Sequence, residues 1–218
     1  MKHFFVVAGG KIEDVFVCRT LREQTDKFVI AVDSGMEFFY RSWIKPDVIV
    51  GDFDSVGAEV FSYFRSQPDI RWKELEPVKD ETDTEAAVRL ALAMGAEEIT
   101  LLGATGSRMD HALGNIGLLG IGLEAGVPMD IRDARNRIRM TDKDLVIRRE
   151  EQAGTYVSLL PCAGAVEHLT LTGFKYPLTD YCLTGFSSLG ISNQIAEEEG
   201  RIAFKGGILL VIESRDAL

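Results

Sequence analysis

The chain has 218 residues, enough for one large or two small domains with a sizeable core. Hydrophobic residues make up 46% and charged ones 27%, the profile of a soluble globular protein, and no window is long and apolar enough to span a membrane. The net charge of −10 argues against nucleic acid as a partner, and three scattered cysteines, Cys18, Cys162 and Cys182, fit neither a disulfide framework nor a zinc spacing, which points to a reducing, cytoplasmic setting.

The N-terminal "HFFVVAGG" has an apolar stretch too short for a signal peptide and reads as a first strand, followed by a helical pattern, "KIEDVFVCRTLREQ". The alternation repeats. "KFVIAVDSG" precedes "MEFFYRSW", and "PDVIVGDFDS" precedes "AEVFSYFRSQ". "IRWKELEPVKDETD" precedes "TEAAVRLALAMG", and "EEITLLGATGSRMD" precedes "HALGNIGLLGIGLEAG". "VPMDIRDA" closes the series. Strands and helices in turn predict an α/β fold, an open parallel sheet with helices on both faces, and the unbroken apolar runs suit strands buried on both sides. Beyond a charged stretch at residues 132–144 the helical patterns stop. "NRIRMTD", "KDLVIRRE", "GTYVSLLP", "EHLTLTGF", "RIAFKG" and "GILLVIES" are short runs of strand composition and predict an all-β sandwich. The expected domains are 1–132 and 140–218.

The polar residues of the first half fall at strand ends. Asp33 follows "FVIAV", and Asp52 and Asp54 follow "DVIV". Asp80 and Asp83 follow "IRWKELE", while Arg108 and Asp110 follow "ITLL" and two glycines. In an open parallel sheet these ends share one rim, where ligands bind. Two carboxylates about 4 Å apart repel by about 4 kcal/mol at an effective dielectric near 20, so acids gathered there call for a counter-charge. A hard dication with oxygen ligands, Mg²⁺ arriving with phosphates, is an economical one. Asx-turn chemistry is the competing use of Asp52 and Asp54.

Thr82 and Glu85 have capping-box spacing at the start of a helix, whose free N–H groups suit an anion, and Lys79 adds a point charge just upstream. In "GATGSRMDHALGN", Gly103 and Gly106 allow close backbone approach, and Arg108 offers a planar fork for phosphate. His111 and Asn115 share one helical face. There is neither a Walker A loop nor G-x-G-x-x-G after the first strand.

"GDFDS", "KDETDTEAA" and "GATGSRMDHALGN", in this order and spacing, resemble the thiamine pyrophosphokinase (thiamine diphosphokinase) family, with "AVDSG", "TGFKYPL" and "GISNQI" fitting alongside. The resemblance implies an N-terminal domain for ATP and Mg²⁺, with Mn²⁺ as a substitute, and a C-terminal β-sandwich contributing to the thiamine site. It implies a homodimer with active sites between subunits, and transfer of diphosphate from ATP to the thiamine hydroxyl with release of AMP. On the family pattern Asp52, Asp54 and Asp83 hold the metal, Asp80 is a lesser candidate, and Arg108 steadies the transferring group. Lys79 assists. Asp33, Thr82, Asp110, His111 and Asn115 shape the ATP site, and Ser192 and Asn193 contact thiamine. Whether Asp52 or Asp54 also accepts the hydroxyl proton stays open. Ser34, Met36, Ser107 and Gln194 depart from the family pattern. The rival readings are a diphosphokinase acting on a pterin alcohol, an aspartyl-nucleophile phosphatase, suggested by the D-x-D of "DFDSV", and a nucleotide-binding regulator without turnover.

Overall fold

The N-terminal apolar run forms β1 (His3–Val7), and in the computed structural model, which describes residues 2–217, it lies between two parallel neighbours. On one side is β2 (Lys27–Val32), followed outward by β3 (Val48–Gly51) and β4 (Arg71–Glu74); on the other is β5 (Glu98–Leu102), then β6 (Met129–Arg132). All five pairings are parallel. The chain builds outward from β1 to β4, then returns to the opposite side of β1 for β5. That reversal opens a crevice beyond the carboxyl ends of β1 and β5, the usual ligand position in such sheets.

Among the described residues, five α-helices connect these strands: α1 (Asp14–Glu23), α2 (Met36–Ser42), α3 (Ala58–Arg65), α4 (Asp83–Ala93) and α5 (Met109–Ala125). Alternate residues of β1 point to opposite faces, and both faces are buried. Phe5 and Val7 join Val17 and Leu21 of α1, Phe38 and Phe39 of α2 and Phe64 of α3 in one apolar cluster. Each such large side chain contributes about 1.5–3 kcal/mol by leaving water. α4 lies against β1, β2 and β3 and beside α5. Its buried positions are Ala86, Ala87, Val88 and Ala91, and the alanines let the helix approach closely.

This first unit covers Met1–Ala134; the second is Arg135–Leu218. Apart from one 3-10 turn, Arg149–Glu151, the second is built of strands: β7 (Asn136–Thr141), β8 (Leu145–Arg148), β9 (Tyr156–Thr172), β10 (Leu178–Leu183), β11 (Glu199–Ala203) and β12 (Gly206–Ser214). They run in the order β7-β12-β9-β11-β8, with β10 also on β9, and every pairing is antiparallel. Leu159, Val166, Leu169, Leu171, Ile202 and Val211 belong to its apolar core.

Two expectations need correction here. "GTYVSLLP" and "EHLTLTGF" are not two strands but one, the 17-residue β9. The small residues between them read as a turn, yet Ala163, Gly164 and His168 take positive φ within the strand and bend it without ending it. β10 was not expected at all. Four of its six residues are exposed, so it lacks the apolar alternation that marks a strand, and it pairs with β9 through shifted register.

Candidate active site

β3 ends in Gly51, and the next residues turn sharply because Phe53 adopts φ +65°. A bulky side chain in the left-handed region costs of order 1–3 kcal/mol and needs support. The ring has it: Phe61 and Trp72 pack against it at centroid distances of 5.6 and 5.2 Å. At the end of β2, Asp33 is also left-handed, at φ +45°, and opens a single 3-10 turn, Asp33–Gly35. These two turns bring carboxylate oxygens of Asp33, Asp52 and Asp54 to within 4.8 Å of one another. Turn chemistry is present too, since the Asp54 N–H donates to Asp52 Oδ1 at 3.3 Å.

Asp33 is the most constrained of the three. Its Oδ2 accepts a hydrogen bond from the Ser55 hydroxyl, while its Oδ1 is buried with no hydrogen-bond partner. Burial pushes its carboxyl above the usual range, and the charges of Asp83 and Asp52 add to this; the bonds from Ser55 and the Ser34 backbone pull the other way.

Asp83 arrives from α4. Thr82 is the N-cap and accepts from the Glu85 N–H at 3.2 Å, which fixes where the helix begins. Lys79 Nζ lies 3.0 Å from Asp83 Oδ1 and 3.4 Å from Asp52 Oδ2. The first contact is an ion pair out of hydrogen-bonding line, so that buried Asp83 oxygen has no hydrogen-bond donor. Burial works against the charge on Lys79, but Asp83 and Asp52 outweigh it and hold the ammonium above its ordinary value.

The loops after β1 and β5 close together. The Gly10 N–H donates to Gly103 O at 2.8 Å and the Lys11 N–H to Thr105 O at 2.7 Å. A Cβ on Gly10 would stand 2.3 Å from Gly103 O, so only glycine permits this approach. Asn115 donates from Nδ2 to Ala104 O at 2.8 Å and steadies the second loop from α5. Arg108 precedes α5 and forms an exposed ion pair with Asp110 at 2.7 Å. The guanidinium, together with a bond from the His111 N–H, lowers the Asp110 carboxyl to about 2.

These elements surround a cleft of about 770 Å³ in the first unit, a size suited to a small-molecule ligand. Asp33, Asp52, Asp54, Thr82, Asp83, Arg108, His111 and Asn115 line it. Lys79 stands behind two of these acids, and Asp110 behind Arg108; Asp80 is exposed and outside the lining. Sequence reasoning missed Gly10, Lys11 and Ser55. "AGGK" directly after β1 was the signal for the first two, because that loop sits at the switch point of the sheet.

In the second unit, Ser192 is exposed, at φ +59°, and its N–H donates to Ser158 Oγ at 3.0 Å. Asn193 is buried and its side chain holds the turn. Oδ1 accepts from the N–H groups of Tyr176 (3.1 Å) and Gln194 (2.9 Å), and Nδ2 donates to Tyr176 O at 2.8 Å.

The acidic set fits a hard dication. The clustered ligand atoms of Asp33, Asp52 and Asp54 are all carboxylate oxygens, and Asp33 Oδ1 is buried without a hydrogen-bond partner; Asp83 lies on the same cleft outside this cluster, ion-paired to Lys79. Residues 20–127 match the family described as Thiamin pyrophosphokinase, catalytic domain, and residues 144–209 match Thiamin pyrophosphokinase, vitamin B1 binding domain. The second match weighs against the pterin and phosphatase alternatives. The chain is 34% identical to thiamine pyrophosphokinase of Bacillus subtilis (strain 168), covering 99% of this chain and 100% of the relative. The crystal structure of the Bacillus subtilis thiamine pyrophosphokinase superposes with a TM-score of 0.89 over 99% of this chain and 100% of that one, at 34% identity. That of the Geobacillus thermodenitrificans protein superposes with a TM-score of 0.85 at 33% identity, over 99% and 98% of the two chains. With a full-length relative at this identity and both halves of the chain matched, the protein belongs to the thiamine pyrophosphokinase family, the enzymes that form thiamine diphosphate at the expense of ATP.

Proposed function

We propose that the cleft of the first unit holds ATP with Mg²⁺, or Mn²⁺ in its place, and that Asp52, Asp54 and Asp83 are the metal ligands, with Asp33 as a fourth acid beside them. The observation that carries this is the convergence on one cleft of acids from two strand ends and a helix start, with one buried oxygen of Asp33 accepting no hydrogen bond. Bound there, the dication would neutralise phosphate charge as it develops. The chain's own residues do the rest. The glycine loops bring backbone close to the nucleotide, and Asn115 keeps the second loop in place. Thr82 fixes the helix start that presents Asp83; Asp80 has at most an outer role. His111 borders the nucleotide.

The thiamine oxygen attacks the β-phosphorus of ATP, an O–P bond forms there, and the bond from that phosphorus to the AMP oxygen breaks. AMP leaves, and thiamine keeps the diphosphate. Asp52 or Asp54 takes the hydroxyl proton. Arg108 exchanges Asp110 for the transferring group and stabilises its charge.

The second unit contributes to the thiamine site through the exposed Ser192, with Asn193 keeping the turn in shape. The working unit is a homodimer with active sites at the interface. Support comes from exposed apolar side chains just before this turn, Phe186, Leu189 and Ile191, which need a cover. The three free cysteines, none in a disulfide, suit a cytoplasmic setting. The test is product analysis from ATP and Mg²⁺, with and without thiamine. AMP and thiamine diphosphate formed only with all three is the expected result; ADP with thiamine monophosphate would overturn the reaction scheme.

A further inference from the structure

We infer that Lys79 is a built-in counter-ion that keeps bare dications from binding the acidic cleft tightly, so that the metal enters together with the nucleotide. The inference rests on the proposal above that Asp52 and Asp83 hold the dication.

Three features of Lys79 carry it. First, the ammonium joins carboxylates from two different elements, Asp52 after β3 and Asp83 at the start of α4, at 3.4 and 3.0 Å. Without a cation between them, these like charges would repel. Second, the group is sheltered: the side chains of Lys79, Asp52 and Asp83 are only 17%, 12% and 23% exposed, so salt and water screen the pair weakly. Third, its donors are engaged. Nζ donates to Glu76 O at 3.1 Å as well as to Asp52 Oδ2, and the Asp83 carboxylate lies against it as an ion pair. Lys79 is therefore not a waiting phosphate ligand, and it does not line the cleft.

A dication at its usual bond length of about 2.1 Å from Asp52 Oδ2 would lie no more than roughly 5.5 Å from the ammonium. Two cations so close, and so little screened, disfavour each other. Removing the positive charge should therefore strengthen the hold on a bare metal ion. A triphosphate shifts the balance the other way, because it brings enough negative charge for both cations. Metal and nucleotide then assist each other's binding, and by linkage the assistance is mutual. Lys79 acts through Asp52 and Asp83 and is in this sense a positioning residue.

The test measures Mn²⁺ affinity of the full chain by electron paramagnetic resonance, with and without a non-hydrolysable ATP analogue. Lys79→Met should bind Mn²⁺ alone about tenfold or more tighter than the wild type and lose most of the gain that the analogue brings. Lys79→Arg, which keeps the charge, should bind like the wild type. Lys79→Gln serves as a second neutral variant should Lys79→Met fail to fold. Unchanged or weaker Mn²⁺ binding in the neutral variants overturns the inference, since a purely structural clamp would give one of those results. Asp54→Asn separates the two levels of the argument. If it lowers Mn²⁺ affinity while Lys79→Met leaves it unchanged, the metal site stands and only the role of Lys79 falls. If Asp54→Asn binds Mn²⁺ as the wild type does, the metal site falls and the inference with it.

Discussion

The hydroxyl of Ser55 donates to Asp33 Oδ2, joining the loop after β3 to the turn after β2. Asp33 Oδ1 is already buried without a partner, so this bond is the carboxylate's one side-chain anchor among the described residues. Ser55→Ala should cost about 0.5–1.5 kcal/mol of stability, the net worth of an ordinary hydrogen bond. Added Mg²⁺ should recover part of that loss if Asp33 faces the metal. Urea unfolding with and without Mg²⁺ is the measurement. A variant as stable as the wild type in metal-free buffer would mean that this bond does not anchor the turn.

Asp54 and Asp83 should respond differently to neutralisation. Asp54 is exposed and sits beside two other acids, so Asp54→Asn relieves repulsion and should leave the metal-free protein as stable or slightly more so. Asp83 is ion-paired to Lys79, and Asp83→Asn leaves that half-buried ammonium with Asp52 as its remaining carboxylate. The second variant should melt lower than the first. Both should lose turnover by roughly 10²-fold or more, as expected when charge that steadies a transferring phosphate is misplaced. Thermal melts in chelator, followed by initial rates, decide the matter; equal melting temperatures would remove Lys79–Asp83 from the account of stability.

Ser192 and Asn193 are neighbours with opposite expected effects. Asn193→Ala deletes three hydrogen bonds that hold the turn, leaving backbone groups of Tyr176 without their partner, and should cost about 1–3 kcal/mol of stability. Ser192→Ala should fold normally and raise the KM for thiamine by about 2- to 10-fold, with little change in that for ATP. Arg108→Ala should instead lower kcat. Steady-state kinetics with each substrate varied in turn separates the three; a Ser192→Ala variant that loses ATP affinity would place this turn with the nucleotide.

His3 provides a pH dependence remote from the cleft. It is buried, and Nε2 lies 2.9 Å from Thr100 Oγ1, whose own proton goes to Asp130 at 2.7 Å. Burial lowers the imidazole below its ordinary 6.5, Arg132 works in the same direction, and Glu98 and Asp130 oppose it. The unfolded chain then binds a proton that the folded chain resists. Stability should be full above the ordinary value and decline as pH falls below it, until the depressed folded value is passed. His3→Gln should flatten that part of the profile. Melting temperatures from about pH 8 to pH 5 test this, and an unchanged slope in the variant would assign it to other groups.

The gathering of acids was legible because parallel strands place their carboxyl ends on one side, and the strand ends before Asp33, Asp52 and Asp83 are clear in the sequence. What was hidden is conformational. Nothing in "DFDS" announces that Phe53 will be left-handed, because that state is sustained by Phe61 and Trp72 from elsewhere in the chain. Lys79 looked like a free charge for an anion, and only the fold shows it committed to Asp52 and Asp83. The sequence offers Asn193 as a substrate contact, but its amide is spent on Tyr176, 17 residues away. In each case a long-range partner decides what a locally ambiguous residue does. β10 escaped for the opposite reason: its mostly exposed residues carry no burial signal.

β9 exchanges hydrogen bonds with β12 along its first part and with β10 and β11 along its last. A strand that serves as a shared spine leaves the second unit no seam along which one layer can peel from the other. The unit should therefore come apart in a single event.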